Sequence, residues 1–282
     1  MASSEEIPTM QVEVAGEYRI PRRIIQTANA MPEALRLRGM MGAMRQLHPD
    51  WEFIFFDEPA RQRFIDAEFP EYRSVYDGFR FPIQRYDFFR YLAVYRYGGF
   101  YFDLDILLAE NLSPLLEHGC VFPFERLTLS RFLREERGID WEVGNYGFGA
   151  AAGHPFLQAV IENCVRGQRE PEWVKPMLRG VPPPAKEDFQ VIYSTGPGLV
   201  SRTLAEHPEL AKTVTVLFPA DVCEEANWNR FGDFGVHLME GGWRKKKGPV
   251  MGRVERIWVD WLRSRLMKES RKLGKTRQLP TA

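Results

Sequence analysis

The sequence predicts an α/β protein, a sheet flanked by helices, and three observations carry that expectation. Short apolar runs of strand length alternate with longer segments of helical periodicity. One run, Phe100-Tyr101-Phe102, is fenced off by Gly98-Gly99 on one side and delivers Asp103-Leu104-Asp105 on the other. The chain is also long and balanced enough to bury such a core, with 282 residues, 44% hydrophobic and 27% charged. That composition excludes collagen-like, disordered and disulfide-scaffold classes. In open α/β sheets ligands sit outside the carboxyl ends of strands, so the two aspartates mark where to look.

Arg23-Ile24-Ile25-Gln26 follows Pro21 and reads as a short buried first strand. Pro32 to Leu47 reads as a helix, and Trp51 to Phe56 as a second strand ending at Asp57. Pro82 opens the next helix, since proline suits a first helical position. That helix runs through Asp87, Arg90 and Tyr95 to a stop at Gly98-Gly99. The strand Phe100–Phe102 follows. Farther on, the proline-rich stretch from Glu170 to Glu187 reads as a long loop.

Charge is balanced overall, 38 basic against 38 acidic residues, so no global field favours nucleic acid. From Arg244 onward, however, 13 basic residues face three acidic ones, a net of +10. Ile257, Trp258, Trp261, Leu262 and Leu266 recur there at helical spacing. This segment reads either as a helix packed on the main domain or as an amphipathic helix lying on an anionic membrane. Three scattered cysteines, Cys120, Cys164 and Cys223, suit a reducing compartment. No stretch approaches the roughly 18 apolar residues of a membrane span, and the first residues lack a signal-peptide pattern. The expectation is a soluble cytoplasmic protein, with peripheral membrane contact as a second possibility.

In a strand, residues two apart share a face, so Asp103 and Asp105 are expected to point together with Leu104 packed behind. Two carboxylates held together are costly unless a cation neutralises them, and hard oxygen donors suit Mg²⁺ or Mn²⁺. An isolated Asp-x-Asp is common, and a solvated turn would also account for it. Asp87 and Arg90 share a helix face, as an exposed salt bridge or as ligands of a polyhydroxylated molecule. No nucleophile elbow, Walker loop or zincin helix occurs. Two aspartates on one strand face also cannot straddle a glycosidic bond as hydrolases require.

These residues belong to blocks that resemble glycosyltransferase family 32. The blocks are Ile20 to Thr27, His48-Pro49-Asp50-Trp51, Arg85 to Tyr91, Gly98 to Asp105, Asn145 to Ala150, Thr195-Gly196-Pro197, and His237 to Trp243. The helix-plus-strand block is also similar to the glucosyltransferase domain of the large clostridial toxins. The resemblance implies a GT-A glycosyltransferase fold with a Rossmann-like central sheet, added helices and a C-terminal helix. It implies a retaining hexosyltransferase, a nucleotide-sugar donor (UDP-hexose favoured over GDP-mannose) and a Mn²⁺ or Mg²⁺ cofactor.

Carried over by position, Asp103, Asp105 and His237 would hold the metal, with Asp105 the more direct ligand. Asp87, Arg90, Asp105 and Trp243 would be the catalytic set. Ile24, Gln26, Thr27, Tyr101 and Asn145 would join Asp87, Arg90, Asp103 and Trp243 in binding the donor. Ala28 stands where the family places an aromatic that stacks on the base, which points to a reshaped base or acceptor site. The implied organisation is an extension over 1–19, a catalytic domain over 20–243 and a basic helical segment over 244–282. The acceptor is a hydroxyl of unspecified class: glycan, lipid-linked sugar, small molecule or protein. The competing readings are a non-catalytic nucleotide-sugar or metal-binding module, and a peripheral membrane protein acting through its basic helix.

Overall fold

The structure is a computed structural model that describes residues 18–239 and 249–273. Its strands are β1 (Arg23–Thr27), β2 (Glu52–Phe56), β3 (Gly99–Phe102), β4 (Ile106–Leu108) and β5 (Cys120–Leu127). Then come β6 (Trp141–Val143), β7 (Gly147–Ala150), β8 (Val214–Leu217), β9 (Arg230–Phe231) and β10 (Gly235–His237). The helices are α1 (Leu35–Leu47), α2 (Glu58–Glu68), α3 (Arg73–Gly78), α4 (Pro82–Tyr97), α5 (Arg131–Glu136) and α6 (Pro155–Arg169). They continue as α7 (Pro171–Val174), α8 (Lys186–Ser194), α9 (Pro197–Glu206), α10 (Pro208–Ala211) and α11 (Pro249–Leu273).

A seven-stranded sheet runs β2-β1-β3-β7-β5-β6, with β8 paired to β5. The expected parallel unit is its β2-β1-β3 half. Strand β7 is antiparallel to both β3 and β5, so the sheet is mixed. Alternation sorts the side chains to two faces. Ile24, Phe100 and Phe102 enter one apolar cluster with Met44, Trp51 and Phe231. Ile25, Tyr101 and Phe148 enter the larger cluster beneath α4 and α6.

Helix α4 positions the site. Pro82 opens it, and the Phe81 amide donates to the Gln84 side chain at 2.9 Å. The Gln84 amide then donates to Ser194 Oγ at 2.7 Å, tying α4 to α8. Residues 87–94 are all buried, so α4 has no solvent face at that level. The face that Asp87 and Arg90 share is therefore not an exposed one, and the helix is buried all round at this level. It ends at Gly98, which adopts a φ of 66° and donates its amide to Val94 O at 2.8 Å.

Two further expectations change. The stretch from Glu170 to Glu187 is not an open loop: it folds into α7, short 3₁₀ turns and the start of α8, with Val174 and Met177 fully buried. Pro171, Pro176, Pro183 and Pro184 sit at first or second helical positions, where they favour a turn instead of breaking one, and Pro182 lies at the N-cap. The two tryptophans of the C-terminal helix part company. Trp258 packs on Phe189 at 5.8 Å, whereas Trp261 is 58% exposed. The basic residues 244–247 and those after 273 lie outside the described residues, as does the 1–17 stretch of the expected N-terminal extension. Among the described residues no helix is long and apolar enough to cross a membrane.

Candidate functional site

The carboxyl ends of β1 and β3 open into a cleft of about 750 Å³. Asp103 and Asp105 lie on the turn between β3 and β4, past the end of the strand, and Leu104 lines the same cleft. The expected arrangement with Leu104 packed behind does not form, because the chain leaves the sheet at Phe102. The Asp103 amide instead donates to Tyr146 O at 2.7 Å, which anchors the turn to the segment before β7.

Each predicted polar residue gains its place from a different element. Arg90 of α4 lies 3.2 Å from Asp103 and 3.4 Å from Asp87, and donates to Asn145 O at 2.6 Å. Its guanidinium stacks over the Tyr101 ring at 4.7 Å, and the Tyr101 hydroxyl donates to Asp103 at 2.7 Å. Asp87 accepts from Asn145 Nδ2 at 3.0 Å and from Thr195 Oγ1 at 2.9 Å. The same Asn145 amide reaches the Tyr91 hydroxyl, which donates to Thr195 O. Asp87 and Arg90 are thus buried and networked, not an exposed pair. Burial pushes the Asp87 carboxyl up to about 6 against the pull of Arg90. Arg90 stays charged: Asp103, Tyr101 and Asp87 more than offset the burial that disfavours its cation.

Pairing of β10 with β4 sets His237 beside Ile106, and the Leu238 amide donates to Asp105 O at 3.0 Å. His237 Nε2 then lies 3.3 Å from an Asp105 oxygen, and its ring stacks on Tyr146 at 4.4 Å. Burial lowers the His237 pKa, yet the bond to Asp105 and the charges of Asp103 and Asp105 leave it raised. Its Nδ1 is buried without a hydrogen-bond partner among the described residues. Ligand atoms of Asp103, Asp105 and His237 lie within 4.8 Å of one another.

Two carboxylates and one imidazole form a donor set suited to Mn²⁺ or Mg²⁺. Asp103 is engaged by Arg90 and Tyr101, and Asp105 by His237. The cleft gathers Asp87, Asp103, Asp105 and Glu125 against Arg90, Arg126 and Arg263, and the neighbouring carboxylates of Asp103 and Asp105 are where a divalent cation would neutralise charge.

Thr27, Asp87, Arg90, Tyr101, Asp103, Asp105, Asn145 and His237 line the cleft. Two expectations are corrected. Ile24 packs inside the second apolar cluster, and neither it nor Gln26 lines the cleft. Both sit at alternate positions of β1 from Thr27 and so face the other side of the sheet. The Thr27 hydroxyl is occupied too, donating to Phe56 O and accepting from Arg61, both at 2.7 Å. Trp243 lies outside the described residues.

Sequence reading missed Thr195 as a partner of Asp87, although its block was noticed. It also missed Arg61, which is 1% exposed and stacks on Tyr86 at 4.2 Å. Tyr86 in turn bonds Asn29, and both line the cleft beside Ala28. No sequence pattern singles out Arg61 from Arg63, the other arginine of α2. Its burial is what sets it apart.

Residues 35–122 match the family described as "Glycosyltransferase sugar-binding region containing DXD motif". Over that region the chain is similar to the sugar-binding part of DXD-type glycosyltransferases, set here on a mixed α/β sheet. Among its relatives is inositol phosphoceramide mannosyltransferase 3 of Schizosaccharomyces pombe, 33% identical over 52% of this chain and 38% of that protein. A mannosyl phosphorylinositol ceramide synthase of Saccharomyces cerevisiae is 28% identical over 72% of this chain and 48% of its own length. The chain thus spans less than half the length of either relative. A solved structure, the ligand-free glycosyltransferase domain of the YGT toxin, overlays 93% of this chain and 92% of its own. Its TM-score is 0.47 and its identity 9%.

Proposed function

We propose that the chain is a metal-dependent hexosyltransferase that moves mannose from a nucleotide-activated donor to a hydroxyl acceptor with retention of configuration. The observation that carries this reading is the convergence of Asp103, Asp105 and His237 on the cleft that holds the Asp87–Arg90–Asn145 network. Asp105, His237 and Asp103 would hold the cation, whose positive charge would stabilise a departing diphosphate. Asp87 presents a carboxylate to the sugar hydroxyls, and Arg90 fixes it relative to Asp103. Tyr101 holds the Asp103 carboxylate through its hydroxyl. Tyr86, braced by Arg61 and Asn29, is a seat for the base where Ala28 offers none.

The sequence favoured a UDP-hexose. The relatives, by name transferases of mannose to inositol phosphoceramide, support GDP-mannose and an acceptor in which a polyol adjoins a phosphate. Retention of configuration rests on the family resemblance and is read from the anomer of the product. The test is a donor screen with Mn²⁺ that follows nucleotide released from GDP- and UDP-sugars. Release from GDP-mannose, abolished by EDTA and cut at least about a hundredfold by Asp105→Asn, is the expected result. Release from a UDP-hexose alone overturns the choice of sugar. A folded protein that releases nucleotide from no donor is a binding module instead.

A further inference from the structure

A second concavity, of about 290 Å³, lies between α5, the turn at Arg179-Gly180 and α11, apart from the metal site. Arg131, Arg134, Arg179 and Arg265 line it together with Trp258 and Trp261. Glu135 is the one acid in the lining. Arg179 pairs with Glu136, and Arg134 donates to Thr128 O at 3.2 Å. Arg131 makes no ion pair or hydrogen bond among the described residues. Four guanidinium groups from three separate stretches of chain are thus gathered around one opening, with a local excess of positive charge. Planar guanidinium donors match phosphate oxygens in geometry as well as charge.

The outer face of α11 continues this surface. Arg253, Arg256, Arg265, Lys268 and Arg271 are exposed there together with Asp260, and the helix over 249–273 carries seven basic residues against three acidic ones. Ile257 and Trp261 are exposed on the same helix at 62% and 58%. The helix already buries Leu266 and packs Trp258 inward, so these two apolar side chains are left over from the core. An exposed tryptophan among arginines suits the headgroup level of a bilayer, where its apolar body and its N–H both find partners.

We propose that this pocket takes the phosphate of an anionic lipid headgroup and that α11 lies along the membrane surface through Ile257 and Trp261. A soluble phosphate compound would satisfy the arginines but would leave the two exposed apolar residues without a role. Charge complementarity and the aromatic anchor together favour the lipid surface. The proposal does not depend on the transferase reading, because its readout is binding.

Flotation with vesicles of phosphatidylcholine, alone or with phosphatidylserine, tests it. The expected result is binding only to vesicles that contain phosphatidylserine, weakening as salt is added. Arg131→Glu with Arg265→Glu is expected to lower that binding at least about tenfold with an unchanged melting temperature. Trp261→Ala, an exposed site, is expected to lower it severalfold, and it decides the matter should the charge reversal disturb the fold. Failure of the natural protein to float at low salt overturns the proposal, as does undiminished flotation of the folded variants. Displacement of the protein from vesicles by glycerol phosphate, with no gain from phosphatidylserine, assigns the pocket to a soluble ligand and overturns it as well.

Discussion

Asp87 is where physical chemistry constrains the site most tightly. Its carboxyl carries a raised pKa of about 6 because burial disfavours the charge, with Arg90 opposing. A folded-state value above the ordinary one means that the folded chain holds this proton more firmly than the unfolded chain. Stability from this group is present at low pH and is lost as pH rises from about 4 to about 6, by up to about 3 kcal/mol. Asp87→Asn, nearly isosteric, is expected to flatten that part of the stability profile in urea titrations. At pH 7 the same variant is expected to lose at least about a hundredfold in kcat/KM. Natural kcat/KM is expected to fall as pH drops through about 6. A profile flat down to pH 5 would show that the ionised carboxylate is not needed. Asp87→Ala is the poorer probe, because it strands the bonds from Thr195 and Asn145 inside the protein.

At the scale of elements, the site depends on how closely β1 and β3 approach. Gly99 has a φ of 105°, and a Cβ added there would meet Arg23 O at 2.6 Å and Arg23 Cβ at 2.8 Å. Gly99→Ala would force the two central parallel strands apart and hold an L-residue in an unfavourable backbone region. A loss of at least about 2 kcal/mol is expected from the denaturant midpoint. Loss of donor turnover would accompany it, since Asp103 follows four residues later. A stable and fully active variant would show that the turn can relax. The Gly-Gly pair was plain in the sequence. Its role in strand spacing was not, because the partner residue lies 76 positions upstream.

On the scale of the whole molecule, α11 joins the catalytic body and presents a second surface outward. Leu266 is buried against the main cluster while Trp261 is exposed. Leu266→Ala is therefore expected to cost about 2–4 kcal/mol, whereas Trp261→Ala changes stability by no more than about 0.5 kcal/mol. Thermal unfolding of the two variants distinguishes a docked helix from a detached one. Equal and small effects would mean that α11 does not pack as seen. The sequence offered the packed and the membrane-facing helix as alternatives; the structure shows one side of the helix packed through Leu266 and Trp258 and the other exposed at Ile257 and Trp261.

Local pattern in the sequence determined the elements. It placed β1, β2, α4 and β3 within a few residues and put Asp103 and Asp105 at the end of a central strand, because alternation, proline starts and glycine stops act over short spans. Block order also pointed to Asp87, Arg90, Asn145 and His237, all of which reach the cleft. Only the tertiary structure decided which way each one faces. Pairing of β10 with β4 brings His237 to Asp105 across 132 residues of chain. Strand alternation turns Ile24 and Gln26 away while leaving Thr27 at the cleft, and burial converts Asp87 and Arg90 from a surface pair into a shielded network. Thr195, Arg61 and Tyr86 gain their roles the same way. Hydrogen bonds, desolvation and charge coupling act through space, and no local spacing records which distant residue will stand 3 Å away.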